Sequence, residues 1–174
     1  MKTQSKTGTV EGESLESVFL TELTEAYFAQ QELGKLYARL TTAAQNAELK
    51  KAFEQQVHNT TLQISRMEKC MEMLELKPDT VHAAVVDGMI EAAEDIIDNF
   101  SEGPVRDTAL IAAAQKIEHY GISAYGTLRT LATVMGRVQC ATLLEENKDE
   151  EAETDEELTR LAMSINQSAN NANS

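Results

Sequence analysis

Apolar side chains recur at every third or fourth position along four long segments of the chain, as they do on the buried face of a helix. The first predicted helix runs from an N-cap at Ser14 to about Ala44. The second runs from an N-cap at Asn46 to about Leu76, where Pro78 soon follows and prevents its continuation. Because the break between the two helices is so short, we expect them to pack antiparallel.

The second half of the chain contains another pair of long helices with an equally short connection. Helix four is predicted from Pro104 to about Met135, and the Gly136 that follows suits a left-handed C-cap. Helix five then runs from residue 137 or 138 to about Ile165. These two helices should also fold back on each other.

Residues 79–100 connect the two pairs through a shorter segment that is rich in Val, Ile and Ala. We predict that this segment crosses the bundle and is not one of its main members. Four long helices joined in pairs by tight turns, with one long crossover, describe an all-α, ferritin-like four-helix bundle with five helices in total. Residues 14–165 would form the bundle, whereas residues 1–13 and 166–174 are polar and are predicted to be disordered tails.

The composition adds little to the fold but excludes several functions. The chain has 174 residues and a formal charge of −14, which argues against binding to nucleic acid or to an anionic membrane. It contains no run of about 20 apolar residues that could span a bilayer and no apolar signal region near its start, so we expect a cytoplasmic protein. Cys70 and Cys140 fit that expectation as small apolar residues, since their spacing suggests neither a disulfide framework nor a zinc site.

Each long helix carries polar side chains on its apolar face near its centre. Because the midpoints of antiparallel helices of equal length meet, we expect these side chains to converge in one layer of the core. Such a layer is either a hydrogen-bonded network or a metal centre. Two carboxylates, several amides and no His favour the network. The members are Gln30 in helix one, Gln56, Asn59 and Gln63 in helix two, Glu118 in helix four and Glu151 in helix five.

Glu118 is the most informative residue of this layer, because its neighbours on the same helix face are small or apolar. An ionised carboxylate in such surroundings is costly unless a cation, a metal ion or several hydrogen bonds meet it. Without a metal ion, we expect Glu118 to be protonated or to pair with a cation such as Arg66, which continues the polar face of helix two.

The chain resembles a known family in four of its helices. The stretches are LESVFLTELTEAYFAQQEL in helix one, ELKKAFEQQVHNTTLQISRMEKCMEML in helix two, EGPVRDTALIAAAQKIEHYGISAYGTLRTLA in helix four and EEAETDEELT in helix five. Together they resemble the YciE/YciF family of bacterial ferritin-like, stress-associated proteins over residues 15–161. The resemblance implies a rubrerythrin-like bundle with a di-iron-type site. In typical members this site combines a Glu in helix one, a His-x-x-Glu in helix two, a Glu-x-x-Glu in helix four and a Glu in helix five.

Only two of these six ligand positions keep a carboxylate in this chain. Glu118 matches the first Glu of helix four, and Glu151, or its neighbour Glu150, matches the Glu of helix five. Two carboxylates cannot balance the charge of two divalent ions, so we expect a remnant metal site at Glu118 and Glu151 and no full di-metal centre. The other four positions hold uncharged residues, which are Gln30, Gln56, Asn59 and Gly121.

The resemblance and the lost ligands together predict a stress-response protein of unknown biochemical activity, with a structural or interaction role and no catalytic residues. One alternative is a di-iron or di-manganese carboxylate protein, an oxidoreductase-like relative of rubrerythrin, with Glu118 and Glu151 as core ligands. A single divalent ion between these two carboxylates is a variant of it. An enzyme that uses the acidic layer without metal is a third reading, although no substrate opening is evident. A homodimer is possible, and the sequence does not identify a protein partner.

The three histidines do not replace the missing ligands. His58 and His119 each lie one position off the apolar face of their helix, so we predict that they lie on the surface or line a groove. His82, at the start of the crossover, is predicted to be exposed.

Overall fold

The computed structural model describes residues 14–77 and 83–172, and these residues form five helices with no strand among them. Within these ranges, no helix is both long enough and apolar enough to cross a bilayer. The predictions for residues 1–13, for His82 and for the last two residues lie outside the described part of the chain. The helices are α1 (Leu15–Ala43), α2 (Ala47–Met73), α3 (Ala84–Asn99), α4 (Pro104–Val134) and α5 (Val138–Ala172).

The four long helices pack as two antiparallel pairs, which confirms the predicted bundle. Helix α1 contacts α2 and α4, and α5 contacts α2 and α4. The shorter α3 packs against α1 and α4 as the crossover between the pairs. Two separate apolar clusters form the core, one containing Tyr37, Phe53 and Leu110 and the other containing Phe19 and Met67. The polar layer lies between these clusters.

The predicted helix caps form as the sequence indicates. The Ser14 hydroxyl accepts a hydrogen bond from the backbone N–H of Ser17, and the Ser17 hydroxyl accepts one from the N–H of Ser14, which completes a capping box. Asn46 Oδ1 accepts from the N–H groups of Glu48 and Leu49, at 2.9 Å and 3.0 Å. Gly136 has a φ of 71°, the left-handed conformation expected after α4.

Arg106 and Asp107, at the start of α4, hold the turn between α1 and α2. The buried Asp107 carboxylate accepts hydrogen bonds from the backbone N–H groups of Gln45 and Asn46, at 2.9 Å and 2.8 Å. Arg106 donates to the carbonyl oxygen of Ala43 at 2.6 Å. These contacts satisfy backbone groups that the helix ends leave unpaired, so this Arg-Asp pair has a structural role.

Two predicted helix ends are wrong. Helix α2 ends at Met73 and not near Leu76, because Glu75 adopts a left-handed φ of 52° and the N–H of Leu76 turns back to the carbonyl of Met71. Helix α5 does not end at Ile165 but continues to Ala172. The side chain of Ile165 is buried, and no Gly or Pro follows it before residue 172, so the ladder of helical hydrogen bonds is not interrupted. The tail predicted for residues 166–172 is therefore helical.

Candidate functional site

The polar side chains of the four long helices meet in the centre of the bundle. Gln56, Gln63 and Glu118 are fully buried, and Gln30 and Glu151 are nearly so. Asn59 is half-buried at the edge of the layer. The site is therefore closed to bulk solvent, and each polar group depends on a partner within the protein.

Glu118 and Glu151 form the centre of the layer, with their carboxyl groups in hydrogen-bond contact. Burial raises the pKa of Glu118 well above its usual value, and the charge of Glu151 raises it further. Burial also raises the pKa of Glu151, but hydrogen bonds from Glu118, Gln63 and Gln30 oppose that rise. We therefore assign the proton to Glu118, which donates it in a hydrogen bond to an ionised Glu151.

Two side chains donate to Glu118. The Tyr37 hydroxyl donates to its Oε1 in a short hydrogen bond. The pKa of Tyr37 is raised well above its usual value, first by burial and then by the negative charge that Glu118 and Glu151 share, so the phenol keeps its proton and remains a donor. Gln56 Nε2 donates to Oε2 of Glu118 at 3.2 Å and also reaches Oε2 of Glu151 at 3.4 Å.

The orientation of the Gln56 amide follows from its other neighbours. Its Oε1 accepts a hydrogen bond from Asn59 Nδ2 at 3.2 Å and another from the Thr154 hydroxyl at 3.0 Å. Because the oxygen is used in this way, the amide presents its N–H groups to the carboxyl pair. These partial positive charges stabilise the single negative charge that the pair carries.

Gln30 supplies the same kind of contact from α1. Its Nε2 donates to Oε1 of Gln63 in a short hydrogen bond and lies 3.4 Å from Oε1 of Glu151. Gln63 in turn donates to Glu150 at 3.3 Å. The positions that would carry a Glu in helix one and a His in helix two therefore hold amides that donate to the carboxylates.

Gly121 leaves the space that the Glu151 side chain occupies. A Cβ atom on residue 121 would lie 2.8 Å from Cδ and 2.9 Å from Oε2 of Glu151. Such distances are shorter than van der Waals contact, so a larger residue at this position would displace the carboxylate. The loss of the second helix-four Glu and the position of Glu151 are thus physically connected.

Arg66 does not pair with Glu118, so that part of the prediction is wrong. Its guanidinium binds Glu150 through two hydrogen bonds of 2.8 Å and 2.7 Å, and its Nε lies 3.0 Å from Oε2 of Glu146. It also donates to Asn147 at 3.0 Å. Arg66 lies one turn beyond Gln63 at the rim of the layer, where the carboxylates of Glu146 and Glu150 on α5 are nearer than the buried Glu118. Glu150 is therefore a rim residue, and Glu151 is the one in the layer.

The two histidines within the described residues do not reach the layer. His58 is exposed, and His119 is exposed with its Nε2 3.2 Å from Oδ2 of Asp155. In residues 14–77 and 83–172 there is no group of three or more His, Cys, Asp or Glu side chains arranged to hold a metal ion. Glu118 and Glu151 are thus brought together without a third donor of these types.

Sequence reasoning missed three members of the network. Tyr37 follows Gln30 by seven residues on the same helix face. Asn147 lies four residues before Glu151, and Thr154 lies three residues after it. Asn147 Nδ2 donates to the carbonyl oxygen of Gln63 at 3.2 Å. The helical spacing could have identified all three.

The sequence pattern of one known protein family, described as a domain of unknown function (DUF892), matches residues 14–170. The chain belongs to the DUF892 family. Protein YciF of Escherichia coli strain K12 is 40% identical to it over 160 residues, which cover 91% of this chain and 96% of that protein. The resemblance to the YciE/YciF family is thereby confirmed.

Solved structures agree with this membership. The crystal structure of the E. coli stress protein YciF matches with a TM-score of 0.86 and 39% identity, over 90% of this chain and 99% of that one. YcfI from Rhodopseudomonas palustris, suggested to be a structural protein, matches with a TM-score of 0.83 and 28% identity, over 87% and 97% of the two chains. A Xanthomonas campestris protein has a TM-score of 0.71 at 21% identity over 87% and 93% of the chains, and supports the fold alone. The DUF892 bundle is thus shared over nearly the whole described chain.

Proposed function

We propose that this chain is a non-catalytic stress-response protein with a structural or interaction role, in which a proton and a network of amides take the place of the metal ions implied by the family resemblance. One observation carries the proposal. The Glu151 carboxylate fills the space above Gly121, where it accepts hydrogen bonds from Glu118 and from the amides of the layer.

The charges of the layer do not fit a di-metal centre. Two divalent ions require several anionic oxygens, some of which bridge them. The layer offers one ionised carboxylate, Glu151, and one carboxyl group that burial keeps protonated, Glu118. Gln30 and Gln56 direct N–H groups towards these oxygens, and an N–H group repels a cation. The residues therefore satisfy one another and do not fit the metal pair.

The relatives support the proposed role. YciF of E. coli is described as a stress protein, and a structural role has been suggested for YcfI of R. palustris. This chain covers nearly the full length of both proteins, so it has the whole bundle. The polar layer contains no pair of a nucleophile and a general base. A location in the cytoplasm fits the two free cysteines, and the charge of −14 fits a protein that binds neither nucleic acid nor an anionic membrane.

The test is elemental analysis of protein purified from iron-replete cells without chelators, followed by anaerobic titration with Fe(II) and with Mn(II). We expect neither metal to bind in stoichiometric amounts. The matched control is the variant Gln30→Glu/Gln56→His/Asn59→Glu, which restores three of the four missing family ligands and should gain metal binding. Two iron or manganese atoms per wild-type chain would overturn the proposal.

The second candidate is a metal-binding, oxidoreductase-like protein related to rubrerythrin. The contact between the buried carboxyl groups of Glu118 and Glu151 favours it, since adjacent carboxyl groups are the core of such sites. A single divalent ion bound between the two would displace the shared proton. The titration separates the candidates, because such an ion would release one proton from Glu118 as it bound.

A further inference from the structure

The two cysteines of the chain lie in contact at the end of the bundle away from α3. Cys70 is one turn from the end of α2, and Cys140 is in the first turn of α5. They are 70 positions apart in sequence, and Cys70 Sγ donates to the carbonyl oxygen of Cys140 at 3.9 Å. The Cys70 thiol group therefore lies against Cys140. We call Cys70 and Cys140 the thiol pair.

The thiol pair lies outside the polar layer. It belongs to the apolar cluster that contains Met67, Met71 and Leu144. Both cysteines are buried, and no disulfide joins them. The burial raises the pKa of Cys70 far above that of a free thiol. Cys70 is therefore protonated and unreactive while the helix ends remain closed.

One of the two thiols lies beside a route to solvent. A groove of about 300 Å³ at this end of the bundle is lined by the last residues of α2, the turn after α4 and the first residues of α5, including Met73, Gly136 and Cys140. Both cysteines are within four residues of a helix terminus, where local opening costs much less than global unfolding. A small oxidant can reach Cys140 during such an opening.

We infer that the thiol pair is a redox site, in which a hydroperoxide converts Cys70 and Cys140 into a reversible disulfide between α2 and α5. The Cys140 sulfur, deprotonated in the open state, attacks the outer oxygen of the hydroperoxide. The O–O bond breaks, an alcohol (or water, from hydrogen peroxide) leaves, and Cys140 becomes a sulfenic acid. The Cys70 thiol then attacks this sulfur, the S–O bond breaks and water leaves. Two thiols are oxidised by two electrons, and one hydroperoxide is reduced.

The fold makes the second step fast and the first step slow. Because Cys70 Sγ already lies 3.9 Å from the backbone oxygen of Cys140, the attack by Cys70 is intramolecular and needs little movement of either helix. The first step needs the helix ends to open, because Cys140 is buried in the closed protein and a hydroperoxide cannot reach it. The site should therefore respond to sustained exposure to hydroperoxide and not to a brief pulse.

The disulfide would join two helices that are distant in sequence. It would close a loop that contains α3 and α4, and a cross-link across so long a loop restricts the unfolded chain strongly. We expect the melting temperature of the oxidised protein to exceed that of the reduced protein by about 5–10 °C.

The experiment treats the reduced full-length protein with excess hydrogen peroxide, unfolds it in the presence of an alkylating reagent and measures the intact mass. The expected product is a monomer that has lost two hydrogens, resists alkylation at both cysteines and regains both thiols with dithiothreitol. Peptide mapping should recover Cys70 joined to Cys140. A protein that stays reduced while a urea-unfolded sample oxidises would overturn the inference. So would irreversible oxidation of single cysteines or a disulfide between two chains.

Single variants test the order of the steps. In Cys70→Ala, the Cys140 sulfenic acid cannot be resolved and should be trapped by dimedone. In Cys140→Ala, dimedone should label Cys70 much more slowly, because Cys140 is the thiol that lines the groove. Equal labelling of the two variants would contradict the order. The experiment on the wild-type protein tests whether the disulfide forms. Its result depends neither on these variants nor on whether the polar layer binds metal.

Discussion

Residue 121 has no room for a side chain because the carboxyl group of Glu151 lies against it. A Cβ atom there would be 2.8 Å from Cδ of Glu151, whose side chain is buried and accepts hydrogen bonds from the layer. The carboxylate cannot move away without losing those hydrogen bonds. Gly121 therefore leaves room for this carboxylate, although Gly in mid-helix costs about 1 kcal/mol relative to Ala.

We predict that Gly121→Ala lowers the free energy of unfolding by about 1–3 kcal/mol, because the new methyl group overpacks the layer. Gly126→Ala on the same helix is the control. A Cβ at residue 126 would meet only Lys148 Cδ, at 3.9 Å, so this variant should gain up to about 1 kcal/mol. Urea unfolding followed by circular dichroism measures both. If the two variants were equally stabilised, Glu151 would not occupy the position described here.

Glu118→Gln should change the free energy of unfolding by less than about 1 kcal/mol, because a neutral amide resembles the protonated acid. It can still accept from Tyr37 and donate to Glu151. Glu151→Gln should cost about 2–3 kcal/mol, since it removes the negative charge that the surrounding N–H groups stabilise. Thermal and urea unfolding of both variants measure how much each substitution changes the free energy of unfolding. A larger loss for Glu118→Gln than for Glu151→Gln would reverse our assignment of the proton.

The shared proton also predicts a dependence on pH. The pKa of Glu118 is raised in the folded state from its usual value of 4.5, so the native protein holds this proton more tightly than the unfolded chain. Stability from this group is fully present below pH 4.5 and is lost as the pH rises through the folded pKa. The difference in unfolding free energy between the wild type and Glu118→Gln should therefore shift against the wild type as pH rises, by at most about 1.4 kcal/mol per unit.

Taking the difference removes the titrating groups around the carboxyl pair, whereas Glu151 itself is coupled to Glu118 and contributes to the difference. Both proteins contain the same surrounding groups, which are Glu150, Asp155 and the surface pair of Glu145 with Lys148. Denaturant unfolding at a series of pH values above 4.5 gives the difference directly. A constant difference over that range would show that Glu118 does not hold the proton.

Asp107→Ala should destabilise the bundle by about 2–4 kcal/mol, because it removes the acceptor of two backbone N–H groups in the turn between α1 and α2. Asp107→Asn keeps one oxygen acceptor and should lose less. Asp98→Ala, on the exposed side of α3, is the control and should stay within about 0.5 kcal/mol of the wild type. Equal effects of Asp107→Ala and Asp98→Ala in urea unfolding would mean that the turn does not need this carboxylate.

The triple variant Gln30→Glu/Gln56→His/Asn59→Glu should bind Fe(II) or Mn(II), whereas the wild type should not. The substitutions replace N–H donors by ligands on the two helices that face Glu118 and Glu151. In the absence of metal the variant should be less stable than the wild type, because it buries additional carboxylates. Melting temperatures with and without Mn(II) test this. A metal-induced rise in the wild type as large as in the variant would contradict it.

Local chemistry was sufficient to predict the helices and the central amides and carboxyl groups of the layer. Ser14, Asn46 and Gly136 mark helix ends through hydrogen bonds or backbone conformations that belong to a few neighbouring residues. The polar interruptions could be read from helical spacing alone. The end of α5 could not be predicted in this way, because the weak helix formers after Ile165 are compatible with either a helix or a coil.

The partners within the layer depend on three-dimensional distances that spacing does not contain. Arg66 has the right position along α2 to approach Glu118, yet the rim carboxylate of Glu150 is nearer to it. Likewise, the sequence shows that a ligand is missing at Gly121, but not that the Glu151 side chain fills the space. Packing between helices that are far apart in sequence determines which partner each of these side chains contacts.

The two apolar clusters of the core are separated by the layer of amides and carboxyl groups. Sliding any one helix along its axis by a single turn would move its polar residue into one of these clusters and bring apolar side chains against Glu118 or Glu151. Each such displacement would bury polar groups without partners, at a cost of about 1–3 kcal/mol for each group. The layer therefore fixes the relative heights of the four helices, a role that persists without metal.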